Sequence, residues 1–388
     1  MHRSSPVRRP LGLLLGLAVI ALSQPGGARA ADKFSKVSFD TVDGVTLVGT
    51  WYPSTKGKDE PTVMLLHKLG SDSHKDGWDD LAKALNDKGY SVLSFDFRGH
   101  GNSTAVDPNK FWDTRRYPWN LKASKNGTFE KGKLKESISR EGFTAGYYPY
   151  LVNDIAAAKL FLDDRNDAGD CNSRALIVIG AEDGAALGAL WMQADWYRFT
   201  ADKLVPNFID IRLPPTPVSI GKESEGKDQF CAIWLSMSTS LGGNKFGVSG
   251  ALRKALAYEG GEKKIPMGFL YGQDDTEGEK HAKELLRAAK GDPPVAEEKI
   301  PYTVMKGVKG SKLAGSALLR KGLGTDDLIL RYLETMREKR VPPKWSKVDW
   351  DRTAYAWALP NSTRYLLAKD EKGKAMEPIP LNYLGINP

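Results

Sequence analysis

The sequence predicts an α/β protein built on a mostly parallel sheet with helices on both faces. Three observations point to it. Continuous apolar runs such as Thr62-Val63-Met64-Leu65-Leu66 and Leu176-Ile177-Val178-Ile179 have the composition of strands covered on both sides. Such runs alternate with segments of helical periodicity along most of the chain. One of them, 176–179, passes through Gly180-Ala181-Glu182-Asp183-Gly184 into a run of small residues. That strand, tight turn and helix form the unit around which the chain is organised.

The N-terminus reads as a targeting segment. Arg3, Arg8 and Arg9 precede an apolar run from Leu11 to Leu22, Gln24-Pro25-Gly26-Gly27 breaks it, and Ala28-Arg29-Ala30 supplies a cleavage site. Residues 1–30 are therefore expected to be a signal peptide, and the protein to be exported to the periplasm or beyond the cell. Arg8-Arg9 also matches the core of a twin-arginine signal. The apolar run is shorter than the ~20 residues a membrane helix needs, so no membrane span is expected after cleavage. Removing residues 1–30 takes away four arginines and no acid, and the formal charge of +8 falls to +4. This argues against a nucleic-acid partner, and the lysines between 122 and 135 read as solvated loops.

The elements follow in order. Lys36–Asp40 and Val45–Tyr52 alternate apolar and polar residues around Asp43-Gly44, as a hairpin does. Thr62–His67 is a buried strand, Trp78–Lys88 an amphipathic helix stopped by Gly89, and Tyr90–Asp96 the next strand. Residues 104–146 break the pattern and read as an irregular insertion rich in aromatics and lysine. A helix is expected from about Tyr148 to Asp164, then the strand 174–180 with its turn, and a helix to about Tyr197. Residues 198–229 read as a loop. Ala232–Met237, Ile265–Tyr271 and Ile300–Met305 are strands, and Phe246–Tyr258, Thr276–Lys290, Lys312–Arg320 and Asp326–Lys339 are helical. The body thus spans 31–340, and 341–388 reads as a C-terminal appendage with Trp345, Trp350 and Trp357.

The chain has two cysteines, Cys171 and Cys231, each just before an apolar strand. If those strands are neighbours, both thiols lie at one sheet edge and a disulfide is possible in an exported protein. Two unpaired buried thiols are the alternative.

Three motifs resemble the α/β-hydrolase superfamily over about 36–340. Asp96-Phe97-Arg98-Gly99-His100-Gly101-Asn102-Ser103 is similar to its D-x-R-G-x-G-x-S loop. Leu65-Leu66-His67-Lys68-Leu69-Gly70 is similar to its H-G-x-G oxyanion loop, with Lys68 replacing a glycine. Gly180–Gly184 is similar to its nucleophile elbow, with Glu182 replacing serine. The resemblance implies an eight-stranded sheet and a nucleophile–acid–histidine order of catalytic positions. It assigns Glu182 to the nucleophile position and Asp275, beside Asp274, to the acid. Ser311 or Lys312 falls where the histidine belongs, and the backbone N–H groups of Leu69 and Asp183 fall at the oxyanion donors. Of five histidines, His2, His67, His74, His100 and His281, none follows 281. The triad is therefore degenerate.

Glu182 has three readings. It is a carboxylate nucleophile, as in dehalogenases and epoxide hydrolases of this fold. Or it is a remnant neutralised by Lys68 or Lys312 at the helix N-terminus. Or it joins Asp183, Asp274 and Asp275 in an acidic pocket for a cation or basic ligand. His67 and His100 read as loop-fixing residues. Phe111, Trp112, Tyr117 and Trp119 either pack the insertion or stack on a sugar or apolar ligand. No cofactor or metal is expected. The resulting expectation is a non-catalytic hydrolase-fold protein that binds a small molecule, a sugar, an ester-like ligand or a partner at the former active site. The alternative is an ester hydrolase with a carboxylate centre at Glu182.

Overall fold

A computed structural model describes residues 34–197, 228–241, 246–249, 265–290, 302–348 and the short antiparallel pair 365–366 and 379–380. The expected signal peptide, most of the loop 198–229, most of the helix 246–258 and the appendage beyond 348 lie outside the described residues, apart from that pair.

The main sheet has eight strands: β1 (Ser35–Asp40), β2 (Thr46–Tyr52), β3 (Pro61–Leu66), β4 (Ser91–Phe95), β5 (Asn172–Ala181), β6 (Gln229–Leu235), β7 (Met267–Gly272) and β8 (Val304–Val308). Their order across the sheet is β1-β2-β4-β3-β5-β6-β7-β8. Only β2 runs against the rest, pairing antiparallel with both β1 and β4. From β4 to β8 every pairing is parallel.

Alternation along each strand sends side chains to two cores. Leu176 and Val178 of β5 join one, Ile177 and Ile179 the other. The first core is covered by α2 (Val152–Ala168), α3 (Glu182–Tyr197) and α4 (Thr276–Lys290), the second by α1 (Trp78–Asp87) and α5 (Thr325–Arg340). In α1, Trp78, Leu81, Ala82 and Leu85 recur at helical spacing and form its buried stripe.

Several expectations shift. The last strand is β8 at Val304–Val308, about four residues later than its apolar signal suggests; 300–301 are outside the described residues. It is an edge strand, and Val304 and Lys306 face outward. Gly315–Leu319 is a single 3-10 turn rather than a longer helix. In the insertion, Phe111, Trp112, Tyr117 and Trp119 are all buried in the first core, so none is presented to a sugar.

The disulfide is corrected. Both cysteines are free. β5 and β6 are indeed neighbours, but Cys231 lies inside β6 opposite Ile177, six residues along from Cys171. At ~3.3 Å per residue that far exceeds the ~7 Å limit between bridged Cα atoms. The two thiols also point into opposite cores.

Residues 341–348 lie against the N-terminal ends of the strands. Asn172 donates to the Pro343 carbonyl at 2.7 Å, Trp345 Nε1 donates to the Asn166 carbonyl at 2.9 Å, and the Lys58 ammonium sits 3.3 Å over the Trp345 ring.

Candidate functional site at the β3 and β5 strand ends

The sheet order reverses between β3 and β5. β3 is followed in sequence by its neighbour on one side, and β5 by its neighbour on the other. The crevice at the carboxyl ends of such strands is where open α/β sheets bind ligands. Two loops flank it here, His67–Gly70 after β3 and the turn at Glu182 after β5.

Glu182 holds the turn with φ 49°, the left-handed conformation that non-glycine residues seldom adopt. Close packing sets the turn. A Cβ on Gly184 would lie 2.2 Å from the His67 carbonyl oxygen, and one on Gly180 would lie 2.8 Å from Ala185 Cα. Only glycine lets α3 approach β3 and β5 this closely.

The Glu182 carboxylate lies 3.7 Å from the Lys68 ammonium, which is also 3.7 Å from Asp76. Asp76 Oδ2 further accepts from Ser316 Oγ at 2.9 Å and from Ser71 Oγ at 3.2 Å. These charges are about a third exposed, so water weakens each pair. Burial pushes Glu182 above the usual carboxylate range. Lys68 opposes this, while Asp183 and Asp76 add to it. Asp183 is raised as well, by burial, against the opposing pull of Ser238 and Arg140.

His67 has both ring nitrogens engaged. Its Nδ1–H donates to the Lys68 carbonyl at 2.7 Å and its Nε2 accepts from Phe97 N–H at 3.0 Å. Burial, reinforced by His100, pushes it down to about 4. The His100 Nδ1–H donates to the Arg98 carbonyl at 2.9 Å, and burial lowers this ring too. These two histidines fix loops, as their positions suggest.

Asp275 caps α4, its Oδ1 accepting from Gly278 N–H at 3.0 Å. Its neighbour Asp274 makes the link to the loop after β8, donating its N–H to the Ser311 carbonyl at 2.9 Å. Ser311 is buried with its Oγ accepting from Leu313 N–H, and Lys312 is exposed. Glu182 instead meets Gly315. A Cβ there would lie 1.9 Å from its Oε1, and Gly315 itself has φ 59°. The first-turn N–H of Asp183 has no intrahelical acceptor, and Leu69 lies in the facing loop, partly buried.

Sequence reasoning did not single out Asp76, Arg140, Gly315 and Ser316. The Asp76-Gly77 pair signals a turn, and φ values of 56° and 90° bear that out. Arg140 comes from the insertion, its guanidinium 2.9 Å from where a Cβ on Gly70 would stand. Ser236 follows Leu235, the partner of Ala181, and so sits level with Glu182 on the adjacent strand. It has φ 41°, and its buried Oγ has no hydrogen-bond partner among the described residues. Also among the described residues, no group of three or more His, Cys, Asp or Glu is placed to hold a metal ion, and no helix is long and apolar enough to cross a membrane.

No family model matches the chain, and no curated protein does. Solved structures do. An esterase of Pyrococcus furiosus is similar at 17% identity and TM-score 0.43, over 78% of this chain and 91% of that one. A dienelactone hydrolase from Anabaena variabilis is similar at 13% identity and TM-score 0.42, over 79% and 98%. EstE1, a thermostable carboxylesterase cloned from a metagenomic library, is similar at 12% identity and TM-score 0.45, over 79% and 89%. Independently of these likenesses, the strand order, the single reversed strand and the glycine-framed turn after β5 give this chain the α/β-hydrolase fold.

Proposed function

We propose that this protein is an exported, non-catalytic member of its fold that binds a small ester-like or other ligand at the former active site. The observation that carries this reading is the state of Glu182. At the nucleophile position stands a carboxylate beside Lys68 and packed on Gly315, and among the described residues no histidine with a free ring nitrogen is placed to serve it. Hydrolysis through a covalent ester would need a histidine or equivalent to activate water. His67 has no free nitrogen, and Asp275 is bound to its own helix. Loss of such a triad removes a factor of ~10⁶ in turnover.

A second reading is an ester hydrolase with a carboxylate centre at Glu182. The positive φ of that residue favours it, since strain is kept most often at working sites.

Ester hydrolysis by the purified chain, beside Glu182→Gln, separates these. An ester that raises the unfolding temperature and is recovered intact supports binding. Turnover that disappears in the variant overturns it and makes Glu182 the reacting carboxylate. Turnover that survives in Glu182→Gln also overturns it and moves attention to Ser236.

A further inference from the structure

The insertion carries a two-stranded hairpin, Phe129–Glu130 paired with Lys133–Leu134. Its turn is Lys131-Gly132 with φ 50° and 81°, the two positive values of a type I′ turn. The first of those positions favours Asn, Asp or Gly, so a lysine there is held in an unfavourable conformation at the tip. Phe129 is 62% exposed and Leu121 47%. In the same stretch of chain Arg115, Arg116, Lys122, Lys125, Lys131 and Lys133 are exposed. Between 113 and 136 there are seven lysines and arginines and three acids, Asp113, Glu130 and Glu136, and Asp113 pairs with Arg116 at 3.7 Å, so the stretch carries a net charge of about +4. The seventh cation, Lys135, turns inward and donates to Ser124 Oγ at 2.8 Å and to the Gly127 carbonyl at 2.7 Å. It pins the hairpin to the loop 124–127. Lys125 N–H donates to the Gly142 carbonyl, and Thr144 N–H to that of Lys122. The same loop is thereby fastened to the segment that brings Arg140 to Gly70.

We propose that this hairpin and its basic flank dock on a bilayer surface bearing anionic headgroups. Phe129 enters the interface, and Lys131 and Lys133 meet the lipid phosphates. An exposed aromatic on a hairpin whose turn and second strand carry Lys131 and Lys133 suits an interface that is apolar below and anionic above. A single-stranded nucleic acid would call for a platform of stacking aromatics, and here Phe111, Trp112, Tyr117 and Trp119 are buried. The proposal is independent of what the crevice binds.

The test uses the full chain with Glu130→Cys carrying a polarity-sensitive dye. Cys171 and Cys231 are buried and protected from labelling. Phosphatidylcholine vesicles with and without phosphatidylglycerol are the probes. The expected result is a blue shift with the anionic vesicles alone, reversed by salt. Phe129→Ala abolishes the shift, and Lys131→Ala and Lys133→Ala each weaken binding about fivefold. Circular dichroism confirms that these surface variants keep the fold. A dye that stays in water on anionic vesicles overturns the proposal, whether or not the chain binds them elsewhere. A shift of equal size with soluble DNA overturns it too.

Discussion

The Nε2 of His67 accepts a hydrogen bond from the backbone N–H of Phe97, tying the loop after β3 to the loop after β4. The bond requires a neutral ring, so it makes one contribution to stability depend on pH. Unfolded, a histidine titrates near 6.5; folded, His67 titrates at about 4. Between these values the unfolded chain binds the extra proton, so the contribution of His67 is full above about 6.5 and falls as pH drops. The loss is complete by about 4 and amounts to ~3 kcal/mol. His67→Gln offers a donor and an acceptor without titrating. Urea unfolding from pH 6.5 to 4 is expected to show a flatter profile for the variant, and parallel profiles would refute the assignment.

Arg98 is fully buried between two carboxylates. Its Nε donates to Asp154 at 2.6 Å and its terminal nitrogens to Asp43 at 2.7 and 3.0 Å. Burial works against the charge on Asp43, yet Arg98 and Thr41 hold it below the usual range. Arg98→Met strands both acids and is expected to destabilise the protein by about 3–5 kcal/mol. Adding Asp43→Asn and Asp154→Asn recovers much of that, as measured by urea midpoints. Arg98→Lys recovers only part of that loss, because a single ammonium point charge cannot reproduce the separated donor edges with which the flat guanidinium meets Asp154 on one side and Asp43 on the other.

Gly315→Ala places a methyl group on the Glu182 carboxylate. The expected loss has two parts. Roughly 1 kcal/mol comes from alanine at a positive φ. The rest is the clash, which vanishes when Glu182 is shortened. In a double-mutant cycle with Glu182→Ser, the coupling is expected to exceed ~0.5 kcal/mol. Strict additivity of the two changes would show that the contact is absent in solution.

Both thiols are expected to be silent in the native state. Burial pushes Cys171 and Cys231 each to about 12, which leaves no thiolate at neutral pH. A thiol reagent should count none in buffer and two in denaturant, and a reductant should leave the unfolding midpoint unchanged.

The sheet was legible because strands covered on both faces must be continuously apolar, and 62–66 and 176–179 are. Helix α4 was legible to the residue, since Asp275 caps it and its apolar positions recur at helical spacing. The elbow was legible from its glycines. Strand ends were not, and β8 shows why: as an edge strand it carries Lys306 and an exposed Val304, so apolar content marks it poorly. The cysteines stayed open between a disulfide and two buried thiols, because the apolar runs show neither that Cys231 lies six residues further along than Cys171 nor that it faces the other core. The cluster around Glu182 joins Lys68, Asp76 and Ser316, residues that no local spacing connects. Arg140 arrives through an insertion of 3-10 turns and a two-residue-strand hairpin, elements too short to leave a period.

The turn at Glu182 keeps its shape through Gly180 and Gly184, whose missing side chains admit the helix backbone, and not through whatever occupies 182. The shape of the turn and the chemistry at its tip therefore rest on different residues. A single methyl group at 184 would meet the His67 carbonyl and wedge helix from sheet, whereas the side chain at 182 is not what makes that close approach. In a protein arranged this way the side chain at the tip of the turn can change while the backbone that presents it stays in place.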